Sequence, residues 1–587
     1  MDWQQVYDPV AGSIWLSALV AAIPILVLFL LLAVLRIASH WASLAALAVA
    51  FLIAIIVYGM PVGPAFSAVL MGGAFGIFPI VWIVVNAIFI YNVTVDTGHF
   101  DTIRDSIAHL SGDRRVQAVL IAFVFGALLE AIAGFGTPVA ITASLMAGLG
   151  FDAFYAAALA LLANTAPVAF GGFGIPVITA ASTAGLPLLE VSQMVGRQTP
   201  FLALIIPAML VVVMAGWRRA IEVWPLLAVA GVTFAIVQFA VSNFIGPEVT
   251  DILASVITVI ALVFLLRVWR PKEEWHFREE RAPERETERA AAPAYHGGQS
   301  TDTGAERAGA AGGAGSYRRH SLARTLYSWS PFIILAVVVL IAFWAPVHDL
   351  LARAQLRVNF PVAQLDPESG NPVISWPGLD GEVAQAQPVV SKPTPYSASF
   401  NMNWLTAAGT LILIADIIAL ALLRVGPGRA VRVYGATLRQ LAWAIVTIVA
   451  ILALAFLLNY SAQTFTLGLA LAATGASFPF FAPLIGWLGV AVTGSDTSSN
   501  ALFANLQSVT ANEVGISPVL AVGSNSSGGV LGKMLSPQNL AVGTGATGLT
   551  GREGDLFRAC FKWSVGLVLV MSVLATLQAY VVPFMVP

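Results

Sequence analysis

Four formally charged side chains stand out inside otherwise apolar stretches of this chain: Glu130, Asp416, Asp496 and Lys533. A charge in hydrocarbon costs several kcal/mol, so it is rare there and usually marks an ion or substrate path. Glu130 comes one helical turn before the break Gly134-Phe135-Gly136-Thr137-Pro138, and Asp496 lies inside Gly494-Ser495-Asp496-Thr497-Ser498-Ser499-Asn500. Interrupted backbone at membrane depth survives only where protein or a water-filled cavity satisfies it. An acid beside such a break is the pattern of a transport site. Glu130 has two readings, a proton carrier, because burial favours the protonated acid, or a hydrogen-bonded brace for its hairpin. Asp496 has three: proton carrier, sodium ligand, or Asx-type cap that orders the loop. Lys533, in Gly529-Val530-Leu531-Gly532-Lys533-Met534, needs an anionic partner when buried. That partner is a substrate carboxylate, Asp496 or Glu130, and the ammonium can also stand in for a metal ion. Asp416, in Leu413-Ile414-Ala415-Asp416-Ile417, has no polar neighbourhood and reads as structural, although its carboxyl keeps it among the proton-coupling candidates.

The breaks carry further polar groups. Gly134, Gly136 and Thr137 offer free amides in the first half, followed by Asn164 and Thr165 and then by Gly171-Gly172-Phe173-Gly174. The second half offers Ser495, Thr497, Ser498 and Ser499, then Asn525, Ser526 and Ser527 within Gly523-Ser524-Asn525-Ser526-Ser527-Gly528-Gly529. Half-helix amino ends direct partial positive charge at an anion, and freed carbonyls hold a cation. Ser, Thr and Asn add short hydrogen bonds to a carboxylate or hydroxyl. The competing reading is that these small residues let helices pack closely. Two polar, Gly-rich breaks per half, in matching places, favour a site.

The elements that position these residues follow from composition. The chain has 587 residues, 58% of them hydrophobic and 10% charged. That profile excludes a soluble domain and describes a polytopic all-α membrane protein. The net charge of -2 gives no basic excess for nucleic acid. A single cysteine, Cys560, excludes an intramolecular disulfide and a cysteine metal cluster. All seven histidines fall in loops or at span ends, which removes the commonest metal ligand from the bilayer interior, so neither a metal nor a cofactor is expected. The start, Met1-Asp2-Trp3-Gln4-Gln5, lacks a basic n-region, so no cleaved signal peptide is expected.

With about 20 apolar residues per crossing, about 12 helices are expected. They fall at 14–35, 42–58, 75–95, 153–176, 201–216, 224–245, 249–267, 331–347, 403–424, 441–459, 517–548 and 563–586. The stretches 116–149 and 479–509 carry a break instead. Placing the basic connections (Arg36; Arg104, Arg114 and Arg115; Arg218 and Arg219; Arg424 to Arg439; Arg552 to Lys562) in the cytoplasm puts both termini outside. Parity then makes 116–149 and 479–509 re-entrant hairpins from opposite faces, each followed by a broken helix. A shift of about 360 positions aligns Gly134 with Gly494 and the crossings of one half with oppositely directed crossings of the other, an inverted repeat. The expected organisation is a first repeat over 1–220, linking helices over 221–269, a disordered cytoplasmic linker over 270–330 and a second repeat over 331–587 with an external loop at 348–402. The linker is Glu-, Arg-, Ala- and Gly-rich and cannot bury a core.

Leu129-Glu130-Ala131-Ile132-Ala133-Gly134-Phe135-Gly136-Thr137-Pro138 and Thr493-Gly494-Ser495-Asp496-Thr497-Ser498-Ser499-Asn500-Ala501-Leu502-Phe503 closely resemble the bacterial lactate permease family. So do Asn525-Ser526-Ser527-Gly528-Gly529-Val530-Leu531-Gly532-Lys533-Met534 and Ser536-Pro537-Gln538-Asn539, and the likeness spans nearly all of the chain outside 270–330 and 348–402. The resemblance implies uptake of L-lactate, D-lactate or glycolate with protons across the bacterial cytoplasmic membrane. It also implies a hairpin-and-broken-helix plan similar to that of divalent-anion sodium symporters, with vertical movement of a hairpin-bearing domain. The expected partners are thus a small hydroxyacid, protons and the lipid bilayer. A sodium-coupled carrier of another small anion is the rival, because hydroxyls and carbonyls at the breaks equally suit a hard cation. No membrane Ser–His or metal-ligand set supports an intramembrane enzyme, and no charged ring supports an anion channel.

Overall fold

The computed structural model describes residues 3–587 except 36, 109, 133, 135, 278–319, 344–346, 348–349, 352–363, 366–371, 391, 402–403 and 550. Most of the linker expected at 270–330 therefore lies outside the described residues, as do Arg36 and Phe135. Eleven helices among the described residues are long and apolar enough to cross a bilayer. The count is twelve if the pair Ala153–Ala163 and Val168–Ala184, bent by 66°, forms one span. Helices such as Ile14–Leu32, with only 28% of its apolar window buried, turn Trp15, Leu19 and Leu26 outward. Arg114–Ile132 is buried throughout its window. Apolar surface left outside a helical bundle finds its favourable environment in lipid tails, so this is a multi-pass membrane protein.

The spans depart from expectation in a few places. The crossing expected at 75–95 begins at Val62 and runs as one 35-residue segment to Asp96, kinked at Phe78 ahead of Pro79. The crossing expected at 441–459 is the apolar end of the 34-residue helix Pro427–Tyr460. Its Arg-rich first turns continue the helix beyond the apolar stretch, which is why hydropathy starts it late. Short helices His99–Ala108 and Gln463–Leu471 precede the two hairpins at matching places.

Each hairpin returns to the end from which it starts. In the first, made of Arg114–Ile132 and Thr137–Gly148, the Arg114 guanidinium at the base lies 5.5 Å from the ring of Phe151 just past the other arm. In the second, made of Phe478–Thr493 and Asp496–Val514, Phe478 at one base packs in a cluster with Ala511 and Val514 at the other. The two bases are at opposite ends of the bundle, which the helix Trp224–Phe244 connects. Glu222, just before its start, holds Arg115 of the first hairpin at 2.6 Å. Asn243, at its end, accepts from Arg197, which donates to the carbonyl of Met585. The nearby Tyr580 hydroxyl donates to Ala476 beside the second hairpin. Trp3–Gln4 pairs with Val383–Gln385, placing the amino-terminal segment and the expected external loop on one face.

The broken helices are Ala153–Ala163 with Gly171–Ala184, and Pro518–Gly532 with Pro537–Thr547. The first breaks where expected. Its returning half contains three consecutive left-handed residues, Gly172, Phe173 and Gly174. The second breaks later than expected: Gly523 to Gly529 is uninterrupted helix, and the interruption falls at Lys533–Leu535. Packing explains the difference. Gly528 presses on the backbone of Pro483, Gly532 on Trp487 and Gly486 on Asn525, so the small residues allow this helix to lie directly against the rising arm of the second hairpin. Contacts between halves are reciprocal. The returning arm Thr137–Gly148 packs on Pro537–Thr547, and the returning arm Asp496–Val514 packs on Gly171–Ala184.

Candidate functional site

Reciprocal packing brings all four breaks together. Gly136 at the first tip approaches Asn539, and Gly494 at the second approaches Gln538 and Ser536. Asn500 reaches from the second hairpin to donate to the carbonyl of Pro176 on the first broken helix at 3.0 Å.

Glu130 is the junction of three of these elements. Its Oε1 pairs with Lys533 Nζ at 2.5 Å across the two halves, and its Oε2 accepts from Asn164 Nδ2 at 2.9 Å. Gly171 makes room for it: a Cβ there would stand 2.8 Å from Oε1. Lys533 sits where the second broken helix changes from Pro518–Gly532 to a short tight turn, and Asn539 Nδ2 donates to the Lys533 carbonyl freed there. Of the partners open to Lys533, Glu130 is the one it pairs with in this conformation. The pair is buried, so the ammonium and carboxylate compensate each other where neither tolerates isolation.

Asp496 begins the returning arm of the second hairpin, where the Ser495 hydroxyl caps the amide of Ser498. One carboxylate oxygen, Oδ2, accepts from Ser526 Oγ at 2.7 Å and from Asn500 Nδ2 at 3.3 Å. The other, Oδ1, is buried without a hydrogen-bond partner. A Cβ on Gly529 would land on that oxygen, so only glycine admits the carboxylate there. Asn525 donates to Asn500 Oδ1 at 2.9 Å and accepts from Gln507 at 3.1 Å, extending a polar ladder into the helix pair. Asp496 lies within electrostatic reach of Lys533, whose ion pair is with Glu130 instead.

The remaining expected residues divide. Thr165 and Ser527 are buried with unpartnered hydroxyls, and Asn164 keeps an unpartnered Oδ1 beside its bond to Glu130. Thr137, Ser495 and Thr497 are half-buried at the hairpin tips. Ser498 and Ser499 are turned into packing, with Ser499 Oγ donating to the Gly486 carbonyl. Asp416 is separate: it is buried on Ala408–Leu422 with both oxygens unpartnered and joins none of these hydrogen bonds. Sequence reasoning passed over Asn500 and Asn539 as individual ligands, although both lie within its motifs. It also passed over Asp251, a buried acid that the start of the helix Thr250–Val268 disguises as a first-turn cap.

Four unpartnered polar atoms, on Asn164, Thr165, Asp496 and Ser527, therefore accompany one buried ion pair that joins the halves. Unpaired buried polar groups are costly, so a polar guest that satisfies them is favoured. The described residues contain no group of three or more His, Cys, Asp or Glu side chains that could hold a metal ion.

Known proteins resemble this chain over nearly its whole length. The family model of L-lactate permease matches residues 17–582. A glycolate permease of Escherichia coli is 44% identical over 99% of both chains. L-lactate permeases of Escherichia coli and Bacillus subtilis are each 42% identical over the full length of both chains. A solved transporter of Alcanivorax borkumensis aligns over 86% of this chain at 14% identity and a TM-score of 0.40. The relatives are named as permeases rather than enzymes, and the matched span runs through both hairpins and both broken helices. The chain belongs to the L-lactate permease family.

Proposed function

We propose that this protein imports lactate and related 2-hydroxymonocarboxylates such as glycolate together with protons across the bacterial cytoplasmic membrane. The two repeats, over 1–220 and 331–587, run in opposite directions, and the basic connections face the cytoplasm with both termini outside. The observation that carries this reading is the buried pair of Glu130 and Lys533 at 2.5 Å, each from a different half. Protonation of Glu130 leaves the Lys533 ammonium without a counter-charge, and a substrate carboxylate then takes that place. The charge at the site is the same before and after, because one proton enters with one monovalent anion. A carrier of this kind crosses the membrane with both guests or neither, since an uncompensated charge in its interior is costly.

The unpartnered groups of Asn164, Thr165 and Ser527 suit the hydroxyl of a 2-hydroxyacid, and Asp496 offers a second carboxyl for the proton. The names of the relatives, glycolate permease and L-lactate permease, support this substrate class. Counterflow of labelled L-lactate, D-lactate and glycolate in proteoliposomes tests the proposal, with and without a pH step. Uphill accumulation driven by an inward proton gradient is expected, unchanged when choline replaces sodium. Accumulation that follows sodium and ignores pH would instead establish the sodium-coupled alternative.

A further inference from the structure

The helix Pro427–Tyr460 is longer than a membrane crossing needs. Its 34 residues, at about 1.5 Å each, span about 51 Å, against about 30 Å for the hydrocarbon core of a bilayer. The run from Leu441 to Tyr460 carries no charged residue and is long enough to account for that core by itself. The preceding turns, from Pro427 to Gln440, therefore stand at headgroup depth and beyond it. They carry Arg429, Arg432 and Arg439, and the whole helix carries no acid.

The contacts of these turns fix which way each arginine faces. Val433, Thr437 and Leu441 are buried against the bundle. Asn92 Nδ2 donates to Thr437 Oγ1 at 2.8 Å and to Gln440 Oε1 at 2.9 Å. Arg429 is taken by Asp96, with Nε 2.5 Å from Oδ2. Arg432, Ala436, Arg439 and Trp443 fall at i, i+4, i+7 and i+11 on one stripe, and all four are exposed. Neither Arg432 nor Arg439 forms an ion pair or a side-chain hydrogen bond with a described residue. Where the stripe meets the apolar run, the Trp443 ring stacks on His40 with centroids 4.3 Å apart. Trp41, beside His40, is 59% exposed.

We infer that Arg432 and Arg439, next to the His40–Trp443 stack, form a binding site for the headgroup of an anionic phospholipid. A guanidinium matches the oxygens of a phosphate in charge and in planar, bidentate geometry. Tryptophan favours the depth at which headgroups give way to acyl chains. The exposed apolar surface that continues from there, with Trp41 and Ala442, is where those chains lie. A zwitterionic lipid brings no net charge, so the site discriminates by charge. The same helix ends at Asn459 and Tyr460, whose carbonyls accept from Gln5. The lipid thus grips an element that runs from one face of the bundle to the other.

The test uses the full-length protein in phosphatidylcholine vesicles, carrying Cys560→Ser and a thiol-linked fluorophore on Ala442→Cys, one turn beyond Arg439. Brominated phosphatidylglycerol and brominated phosphatidylcholine are compared as quenchers at equal mole fraction. An arginine at an anionic membrane surface changes association by about fivefold, so phosphatidylglycerol is expected to quench severalfold more strongly. Arg432→Gln with Arg439→Gln should bring the two quenchers level. Arg432→Lys with Arg439→Lys keeps the charge and should keep most of the difference. Raising salt from about 0.1 M to about 1 M shortens the screening length from about 10 Å to about 3 Å and should shrink the difference. This salt series needs no change in the site, so it decides the matter even where the glutamine variant fails to insert. Equal quenching with both arginines present, or a preference that survives the glutamine pair or high salt, overturns the inference. So does a preference lost in the lysine pair at normal levels of inserted protein. Weak quenching by both lipids overturns it too, and marks another protein chain covering this face.

Discussion

At the scale of single residues, the proposed function rests on one ion pair with hydrogen-bonding groups around it. Glu130 and Lys533 come from different halves, so their bond has a different worth to each charge state of the carrier. Glu130→Gln imitates the protonated acid permanently. Lactate affinity in the wild type is expected to rise as pH falls and Glu130 takes its proton, whereas in Glu130→Gln it should be flat with pH, and gradient-driven accumulation should be lost. Equilibrium binding over a pH series measures the first, and vesicle uptake the second. Lys533→Ala removes the cation and strands a buried carboxylate, a change that costs about 3–5 kcal/mol in other buried pairs. Lactate affinity should fall by about tenfold or more, the equivalent of about 1.4 kcal/mol. Lactate binding of wild-type strength in that variant would place the substrate elsewhere.

At the scale of elements, the site exists because four helices stop short and meet. Small residues decide how near they come. Gly171 admits Glu130 and Gly529 admits Asp496, each at a distance that a methyl group would violate. Gly529→Val should displace Asp496 from Ser526 and Asn500 while leaving the apolar spans inserted. Transport is then expected to be lost at normal membrane levels, a result read by uptake alongside immunoblotting. The motifs announced these elements in advance. A Gly-rich break after Glu130 and another before Asp496 were visible because glycine, serine and proline interrupt helical continuity inside apolar runs. The second broken helix was misplaced because Gly523 to Gly529 has the composition of a break and the environment of a helix contact. Composition cannot tell an open turn from a small-residue seam; only the arm Phe478–Thr493, lying against the seam, distinguishes them.

At the scale of the whole molecule, two hairpins enter from opposite ends and each closes on the other half. Alternating access requires that the tips be exposed in turn. With the buried Cys560 replaced by serine, single cysteines placed by Thr137→Cys and Thr497→Cys, at the half-buried hairpin tips, should react with membrane-impermeant reagents from opposite compartments. Lactate should change both labelling rates. Labelling of both from one side would contradict opposed entry. The strap after Thr250–Val268 belongs to the same scale: Asp113 and the Glu273 carbonyl both hold the buried Arg115, and the Trp275 amide donates to Asp113. The linking helices are thereby fastened to the base of the first hairpin as well as to its Glu130-bearing arm.

Apolar runs of bilayer length, basic connections and two interrupted stretches were fixed by the chain itself, since each is a local property of neighbouring residues. They determined a membrane protein of about a dozen crossings with two hairpins. Glu130, Asp496 and Lys533 were legible as candidates because a charge in the middle of an apolar run is conspicuous. Which of them pair was not legible, since Glu130 and Lys533 lie 403 positions apart and meet only when the halves interlock. Asp251 was hidden for a related reason. At the first turn of a helix an acid reads as a cap, and only the inward packing of its turn against Gly174 turns that cap into a buried carboxyl behind the site. Local sequence decides where apolar helices run; where the second broken helix stops, how a charge is buried and which partner it takes are decided by long-range packing.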